Sequence, residues 1–443
     1  MLRAFLRSAL GWILGLFFRR IEISGVDRVP ARGPVIFAIN HPNGLVDGLL
    51  LLSYAPRPVS FLAKAPLFDL PVIGWVIRSL DTIPVYRRED QADLSQNRRT
   101  FERARELLSR GGTIAIAPEG ASHSDPSLRP LKTGAARIAL GAAIGTPVAI
   151  VPVGLFYTEK AKFRSAAHVS FGEPVLVDPT PLDDLGEPPP PLVERLTARI
   201  ELALTEAVLQ ADHQEALTLV TRTERLLAAT TSHPKSRSVR EVHATQRLLL
   251  DGYRTMKATS PELLDELIRR IDRLEAAFQS ANLDPGHPLP HTLNAVELTR
   301  ATLWLVFRVA IFLPLALPGL LLHYPAYWTI GRLAPRYAGA HDDILATAKI
   351  LGAAFLYPLT WIGAGAGAGL IWGFPLGAAA VAIAPVSGFA ALKLVERFDR
   401  FLTATRAIGL YLTHPEEVRR LTAEREHLRH DLETLGRTFG LVT

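Results

Sequence analysis

His41 and Asp47 lie six positions apart in the stretch Phe37-Ala38-Ile39-Asn40-His41-Pro42-Asn43-Gly44-Leu45-Val46-Asp47-Gly48. An imidazole titrates near neutrality and can take a proton from a hydroxyl. A carboxylate within reach fixes its tautomer and stabilises the imidazolium that forms. Three further segments carry groups such a base can use. Leu80-Asp81-Thr82-Ile83-Pro84-Val85-Tyr86-Arg87-Arg88 ends in adjacent guanidinium forks that match a phosphate bidentately. In Ala117-Pro118-Glu119-Gly120-Ala121-Ser122-His123, Glu119 can accept hydrogen bonds from substrate hydroxyls, and Gly120, without a Cβ, lets a ligand approach the backbone. Ser122 and His123 offer further polar contacts, and His123 is a rival for the role of base. Ile150-Val151-Pro152-Val153-Gly154-Leu155 has no ionisable group and reads as a wall for an apolar tail.

The elements that must position these residues are legible as a pattern. Between Val35 and about Val177, β-rich runs alternate with helical ones: 35–37, 59–62, 82–85, 113–117, 148–151 and 168–171. That alternation predicts an α/β domain around a largely parallel sheet. Asn40-His41, Arg87-Arg88 and Glu119-Gly120 all fall at strand ends, where open α/β sheets bind ligands.

The chain has 443 residues, which implies several domains. Residues 1–20, with Arg3, Arg7, Arg19 and Arg20 around an apolar core, read as an uncleaved interfacial or domain-packed helix, followed by the α/β domain over 21–187. Pro188 to Pro191 open a helical region, 188–290, with long amphipathic helices expected over 192–230 and 237–280. A membrane region is expected over 295–395, because no charged residue lies between Lys349 and Lys393, room for two crossings of ~20 residues. Gly363, Gly365, Gly367 and Gly369 there give spacings for close helix packing, with a turn near Gly373-Phe374-Pro375. Residues 302–322 carry Arg308, Pro314 and Pro318 and read as a re-entrant or spanning segment. Basic residues flank the crossing pair on both sides, which places both flanks in the cytoplasm. The tail, 396–443, is a helical region expected to pack on the soluble domain or form a short coiled coil.

The balance of 49 Lys plus Arg against 43 acids, a net +6, suits an anionic membrane surface or a phosphorylated substrate. No basic helix or aromatic-basic stripe points to nucleic acid. With no cysteine, thiolate nucleophiles, thiolate metal sites and disulfides are excluded. His41, Asp47 and His123 lack metal-ligand spacing, so no metal site is expected.

In order and spacing, Asn40-His41 to Asp47, Ile83 to Arg88, Pro118 to His123 and Val151-Pro152-Val153 resemble the four motifs of the glycerolipid acyltransferase family. That family includes the glycerol-3-phosphate and 1-acylglycerol-3-phosphate acyltransferases. Asp342 to Lys349 further resembles the larger glycerol-3-phosphate/dihydroxyacetone-phosphate acyltransferases, best known from fungi. The usual family motif has four residues between histidine and aspartate, whereas Pro42 to Val46 make five here, so the loop must bulge, which Gly44 permits.

The resemblance implies a membrane-bound enzyme of phospholipid biosynthesis, its catalytic domain facing the cytoplasm. It would move an acyl group from acyl-CoA or acyl carrier protein to the sn-1 hydroxyl of glycerol-3-phosphate or dihydroxyacetone phosphate, without a cofactor or a covalent enzyme intermediate. His41 would be the base and Asp47 its orienter. Arg87 and Arg88 would hold the acceptor phosphate, Glu119, Gly120 and Ser122 would complete the acceptor pocket, and Lys64, with Lys132 and Arg137, would be lesser phosphate candidates. A 1-acylglycerol-3-phosphate acceptor is the alternative substrate, and a non-catalytic lipid-binding membrane scaffold the alternative of another class.

Overall fold

A computed structural model describes residues 2–86, 96–184, 186–228, 237–289, 295–339 and 341–440. The strands are β1 (Arg20–Ser24), β2 (Val35–Ile39), β3 (Ser60–Lys64), β4 (Ile83–Val85), β5 (Thr113–Ile116), β6 (Val148–Tyr157), β7 (Ala166–Phe171) and β8 (Val175–Val177). The helices are α1 (Leu2–Phe17), α2 (Leu45–Tyr54), α3 (Pro71–Ser79), α4 (Asn97–Ser109), α5 (Gly134–Ala142), α6 (Pro190–Ala207), α7 (Gln214–Ala228), α8 (Val239–Thr259), α9 (Pro261–Ser280), α10 (Ala295–Ala338), α11 (Asp342–Trp372), α12 (Phe374–Thr413) and α13 (Pro415–Thr438). Two compact units result, one of residues 1–214, 238–243 and 338–347, the other of 215–237, 244–337 and 348–443.

In the first unit the strands form one sheet in the order β1-β7-β6-β2-β5-β3-β4, with β8 on β6. Every pairing from β2 through β4 is parallel, as is β1 with β7, while β6 pairs antiparallel with β7 and β8. The largely parallel α/β expectation holds. β1 and β8 are additional: β1 mixes charged with apolar residues, and β8 is apolar but only three residues long.

β2 is buried along its whole length, as a strand covered on both faces must be. Ile36 and Ala38 join the core made with α4, α5 and α6, and Phe37 turns to the opposite face, 5.4 Å from the ring of Phe171. α1 packs on α2. Its arginines are not spare cations: Arg7 donates to the carbonyls of Ser53 and Ala55 at the end of α2, and Arg3 bonds Asp81. Phe5 and Trp12 remain exposed.

The boundary expected at 187/188 falls inside this unit. α6 sends Val193, Leu196, Ile200 and Leu204 into the sheet's core, because its apolar stripe is the cover that one face of the sheet requires. The two long helices expected over 192–230 and 237–280 are four, interrupted between α6 and α7 and between α8 and α9, where Ser260-Pro261 ends one helix and starts the next.

In the second unit, α13 packs on α9 and α12. Val418, Leu421 and Leu428 share a core with Ile271, Leu274 and Phe278 of α9, Leu226 of α7 and Ala407 of α12. Among the described residues, three helices are long and apolar enough to cross a membrane: Val309–Ala338, Asp342–Trp372 and Phe374–Thr413. α10 runs unbroken through 302–322 and carries Pro314, Pro318, Pro325 and Pro335 inside it. The first three are spaced by four and seven residues, so the missing donors fall on one side of the helix. The glycine run splits by face. Gly365 and Gly369 meet Gly377, whereas nothing lies within 4 Å of a Cβ at Gly363 or Gly367, since residues four apart share a helix face and those two apart do not.

Candidate active site

At the end of β2 the backbone leaves the sheet, and Asn40 replaces the next rung with its side chain. Its Nδ2 donates to the carbonyl of Leu155 at 3.1 Å and its Oδ1 accepts the Leu155 N–H at 2.7 Å. The segment read as an apolar wall is buried in β6 from Val148 to Leu155. Its contribution to the site is therefore main-chain geometry, which holds the residue before His41.

The loop then turns at Gly44, with φ 48° and ψ −129°, a backbone that only glycine adopts readily. Gly44 is the N-cap of α2, so Asp47 falls in the first turn, where a carboxylate is favoured. This turn absorbs the fifth intervening residue. Asp47 Oδ2 lies 2.9 Å from His41 Nδ1, and the same oxygen accepts the Asn43 N–H at 2.8 Å. Oδ1 accepts the hydroxyl of Tyr157 from the end of β6. Asp47 is fully buried, and three donors converge on it. An acceptor-only partner fixes the proton of His41 on Nδ1 and leaves the Nε2 lone pair for substrate. The His41 side chain is 27% exposed, so that nitrogen can be reached. Burial, then the charge and hydrogen bond of Asp47, push the Tyr157 phenol well above its usual range, keeping it a donor.

The second loop begins at the end of β5. The N–H of His123 donates to the carbonyl of His41 at 3.1 Å, which joins the two loops. His123 itself is buried and committed: Nδ1 accepts the Asp125 N–H at 3.2 Å, and Nε2 therefore donates to Glu119 Oε2. Both ring nitrogens of His123 are thereby engaged within its own loop. Glu119 Oε2 also accepts the Arg129 N–H at 2.9 Å, while Oε1 is buried without a hydrogen-bond partner among the described residues. Gly120 has φ 80°, but the space beside it is filled by the Lys132 side chain, 2.7 Å from where a Cβ would stand. A Cβ there would meet that side chain, so glycine serves the turn and this packing. The Ser122 hydroxyl donates to Asp343.

Lys64 is exposed at the end of β3. Arg137 is engaged with Glu187 at 2.8 Å and lies over Phe101. Arg87 and Arg88 lie outside the described residues. Sequence reasoning missed Tyr157, Asn40 as a ladder substitute, and Asp343. A phenol closing an otherwise apolar strand was the available sign for Tyr157; Asp343 lay in a segment singled out by resemblance but with no role attached, and no local signal showed that Asn40 would stand in for a rung.

A carboxylate-oriented histidine at the carboxyl end of a parallel strand is an arrangement that can take a proton from a hydroxyl. Residues 20–155 match the family model described as Acyltransferase, and this segment is an acyltransferase-family domain. Two proteins of Saccharomyces cerevisiae are similar to the chain. "Glycerol-3-phosphate O-acyltransferase 2" is 28% identical over 61% of this chain and 38% of its own length. "Glycerol-3-phosphate O-acyltransferase 1" is 25% identical over 81% of this chain and 60% of its own. The chloroplastic 1-acyl-sn-glycerol-3-phosphate acyltransferase LPAT1 of Arabidopsis thaliana is 31% identical over 32% of this chain and 38% of its own. The chain thus spans less than two thirds of the length of each.

Proposed function

We propose that this protein is a membrane-bound O-acyltransferase that moves a fatty acyl group from an acyl thioester to the sn-1 hydroxyl of glycerol-3-phosphate or dihydroxyacetone phosphate. The observation that carries it is the 2.9 Å contact between Asp47 and His41 Nδ1, which leaves Nε2 as the base. Nε2 takes the proton from the acceptor hydroxyl, and the oxygen attacks the thioester carbonyl. The tetrahedral intermediate collapses to an ester, and the thiolate leaves with the proton now on Nε2. Attack, collapse and proton return balance with the acceptor and an acyl-CoA or acyl-carrier-protein donor alone, so the route calls on no cofactor. Glu119 Oε1, buried and without a partner, supports a role in receiving an acceptor hydroxyl. The resemblance of 83–88 assigns the acceptor phosphate to Arg87 and Arg88, with Lys64 a lesser candidate.

The two yeast relatives favour glycerol-3-phosphate over a 1-acyl acceptor, because their likeness extends beyond the acyltransferase domain, whereas that of the Arabidopsis protein covers 32% of the chain. Residues 338–347 share a compact unit with the acyltransferase domain, which supports one side of the membrane for both and hence an α10 that does not cross completely. Arg332, Arg336 and Lys349 beside them support the cytoplasmic side. The exposed Phe5 and Trp12 of α1 suit an interfacial position for that helix.

The test is an acceptor panel (glycerol-3-phosphate, dihydroxyacetone phosphate, 1-acylglycerol-3-phosphate, water) assayed by thioester consumption with both donors in membranes holding the full chain. Consumption that requires glycerol-3-phosphate or dihydroxyacetone phosphate, and that is abolished by His41→Ala with insertion intact, is the expected result. Consumption without any acceptor would make the protein a hydrolase, and none at all would favour a lipid-binding scaffold.

A further inference from the structure

We infer that Asp343, in the first turn of α11, is a positioning residue of the acyltransferase site, holding Ser122 so that its oxygen lone pairs face the acceptor. The inference rests on the acyl-transfer reading above. Asp343 stands 221 positions beyond Ser122 in the chain and well outside the matched acyltransferase segment. It nevertheless belongs to the same compact unit, because residues 338–347 fold with residues 1–214.

Two contacts place it across both loops of the site. Its carboxylate Oδ2 accepts the Ser122 hydroxyl of the Glu119 loop. Its main-chain oxygen lies against Gly44 of the His41 loop, 2.9 Å from where a Cβ would stand, with Ile344 Cγ2 at 3.7 Å and Thr347 Oγ1 at 3.5 Å. One residue of a membrane-length helix thus ties together the loop that carries the base and the loop that carries Glu119. Lys160, hydrogen-bonded to Ser124 and 3.5 Å from the carbonyl of Pro42, is near enough to Asp342, Asp343 and Asp47 for each to offset part of the effect of its burial.

A carboxylate in the first turn of a helix is favoured by the helix terminus alone, so a purely local role must be weighed. The side chain is 8% exposed and gives its oxygen to a hydroxyl of another element. Because Ser122 spends its proton on Asp343, its oxygen is left as an acceptor, which suits a substrate hydroxyl.

The experiment uses the full chain in membranes, with Asp343→Ala, Asp343→Asn, Ser122→Ala and the double variant D343A/S122A. Each alanine variant is expected to raise the acceptor KM about tenfold, the equivalent of one hydrogen bond of ~1.4 kcal/mol, with the acyl-donor KM unchanged. The double variant should be no worse than either single, since both remove the same contact. Asp343→Asn, whose amide oxygen still accepts from Ser122, should restore the acceptor KM. An unchanged KM in Asp343→Ala, losses that multiply, or an asparagine as damaging as alanine would overturn the role.

A second readout does not depend on turnover. The chain has no cysteine, so Ser122→Cys with Asp343→Cys provides a single pair that a short bifunctional thiol reagent should bridge. Failure to cross-link overturns the contact itself. An inactive wild type that still cross-links would instead sink the acyl-transfer reading, and the positioning role with it.

Discussion

The hydroxyl of Tyr157 donates to Oδ1 of Asp47 across 110 positions of sequence, so the acid that orients His41 is anchored by the last residue of β6. Removing that donor leaves one oxygen of a fully buried carboxylate unsatisfied, at a cost of about 1–3 kcal/mol. Tyr157→Phe should therefore lower the thermal midpoint and reduce kcat by roughly tenfold while the acceptor KM stays near wild type. Because Tyr157 stays protonated, the pH-rate profile of the variant should keep the wild-type shape. A new or lost alkaline limb would show that the phenol titrates in turnover.

Asp47→Asn tests the tautomer argument directly. An amide can present a donor to Nδ1, which moves the imidazole proton to Nε2 and blocks the base. A loss of kcat on the order of 10³-fold or more is expected, the size that follows when a carboxylate orienting a catalytic histidine becomes an amide. Residual activity within tenfold of wild type would mean that Asp47 does not set the proton's position.

Gly44→Ala should damage the site through the backbone. The new Cβ meets both a positive φ and the main-chain oxygen of Asp343 at 2.9 Å, with strain of order 1–3 kcal/mol. Gly145 also has positive φ, 76°, but nothing within 4 Å of a Cβ. Gly145→Ala should lower the unfolding midpoint and leave activity per folded molecule intact, whereas Gly44→Ala should lower both. Equal activity in the two variants would argue that the loop's shape is not required.

Stability should fall on mild acidification through His168. Burial pushes its imidazole below its ordinary 6.5, with Glu22 pulling it upward and Arg240 downward. Ser24 Oγ is 2.9 Å from Nε2, and the ring of His243 is 5.8 Å away. The folded state holds the ring neutral while the unfolded chain takes up a proton, so the stabilisation is complete above 6.5 and is lost as pH falls from there towards the folded value. In His168→Gln, the thermal midpoint should vary less between pH ~7 and pH ~5.5 than in wild type. Parallel curves would assign the acid sensitivity to another group, with His243 the first to examine.

By itself, the sequence determined the alternating α/β plan, the strand ends that carry His41, Glu119 and Ser122, and the charge-free stretch that becomes α11 and α12. These are properties of short windows: apolar periodicity, a turn glycine, an absence of charge. It could place a histidine and an aspartate in one loop but could not show that they meet. That depended on the Gly44 backbone taking up the fifth residue, and on Asn40 extending the ladder to Leu155 with its side chain. Likewise α6 reads as a separate amphipathic helix until the sheet beneath it is seen to need cover. Only the tertiary structure decided that Tyr157 and Asn43 converge on Asp47, that His123 is spent on Glu119 and Asp125, and that Asp343 reaches Ser122. Such contacts join residues tens to hundreds of positions apart. A side chain's partner is set by where its element packs, which no local pattern encodes.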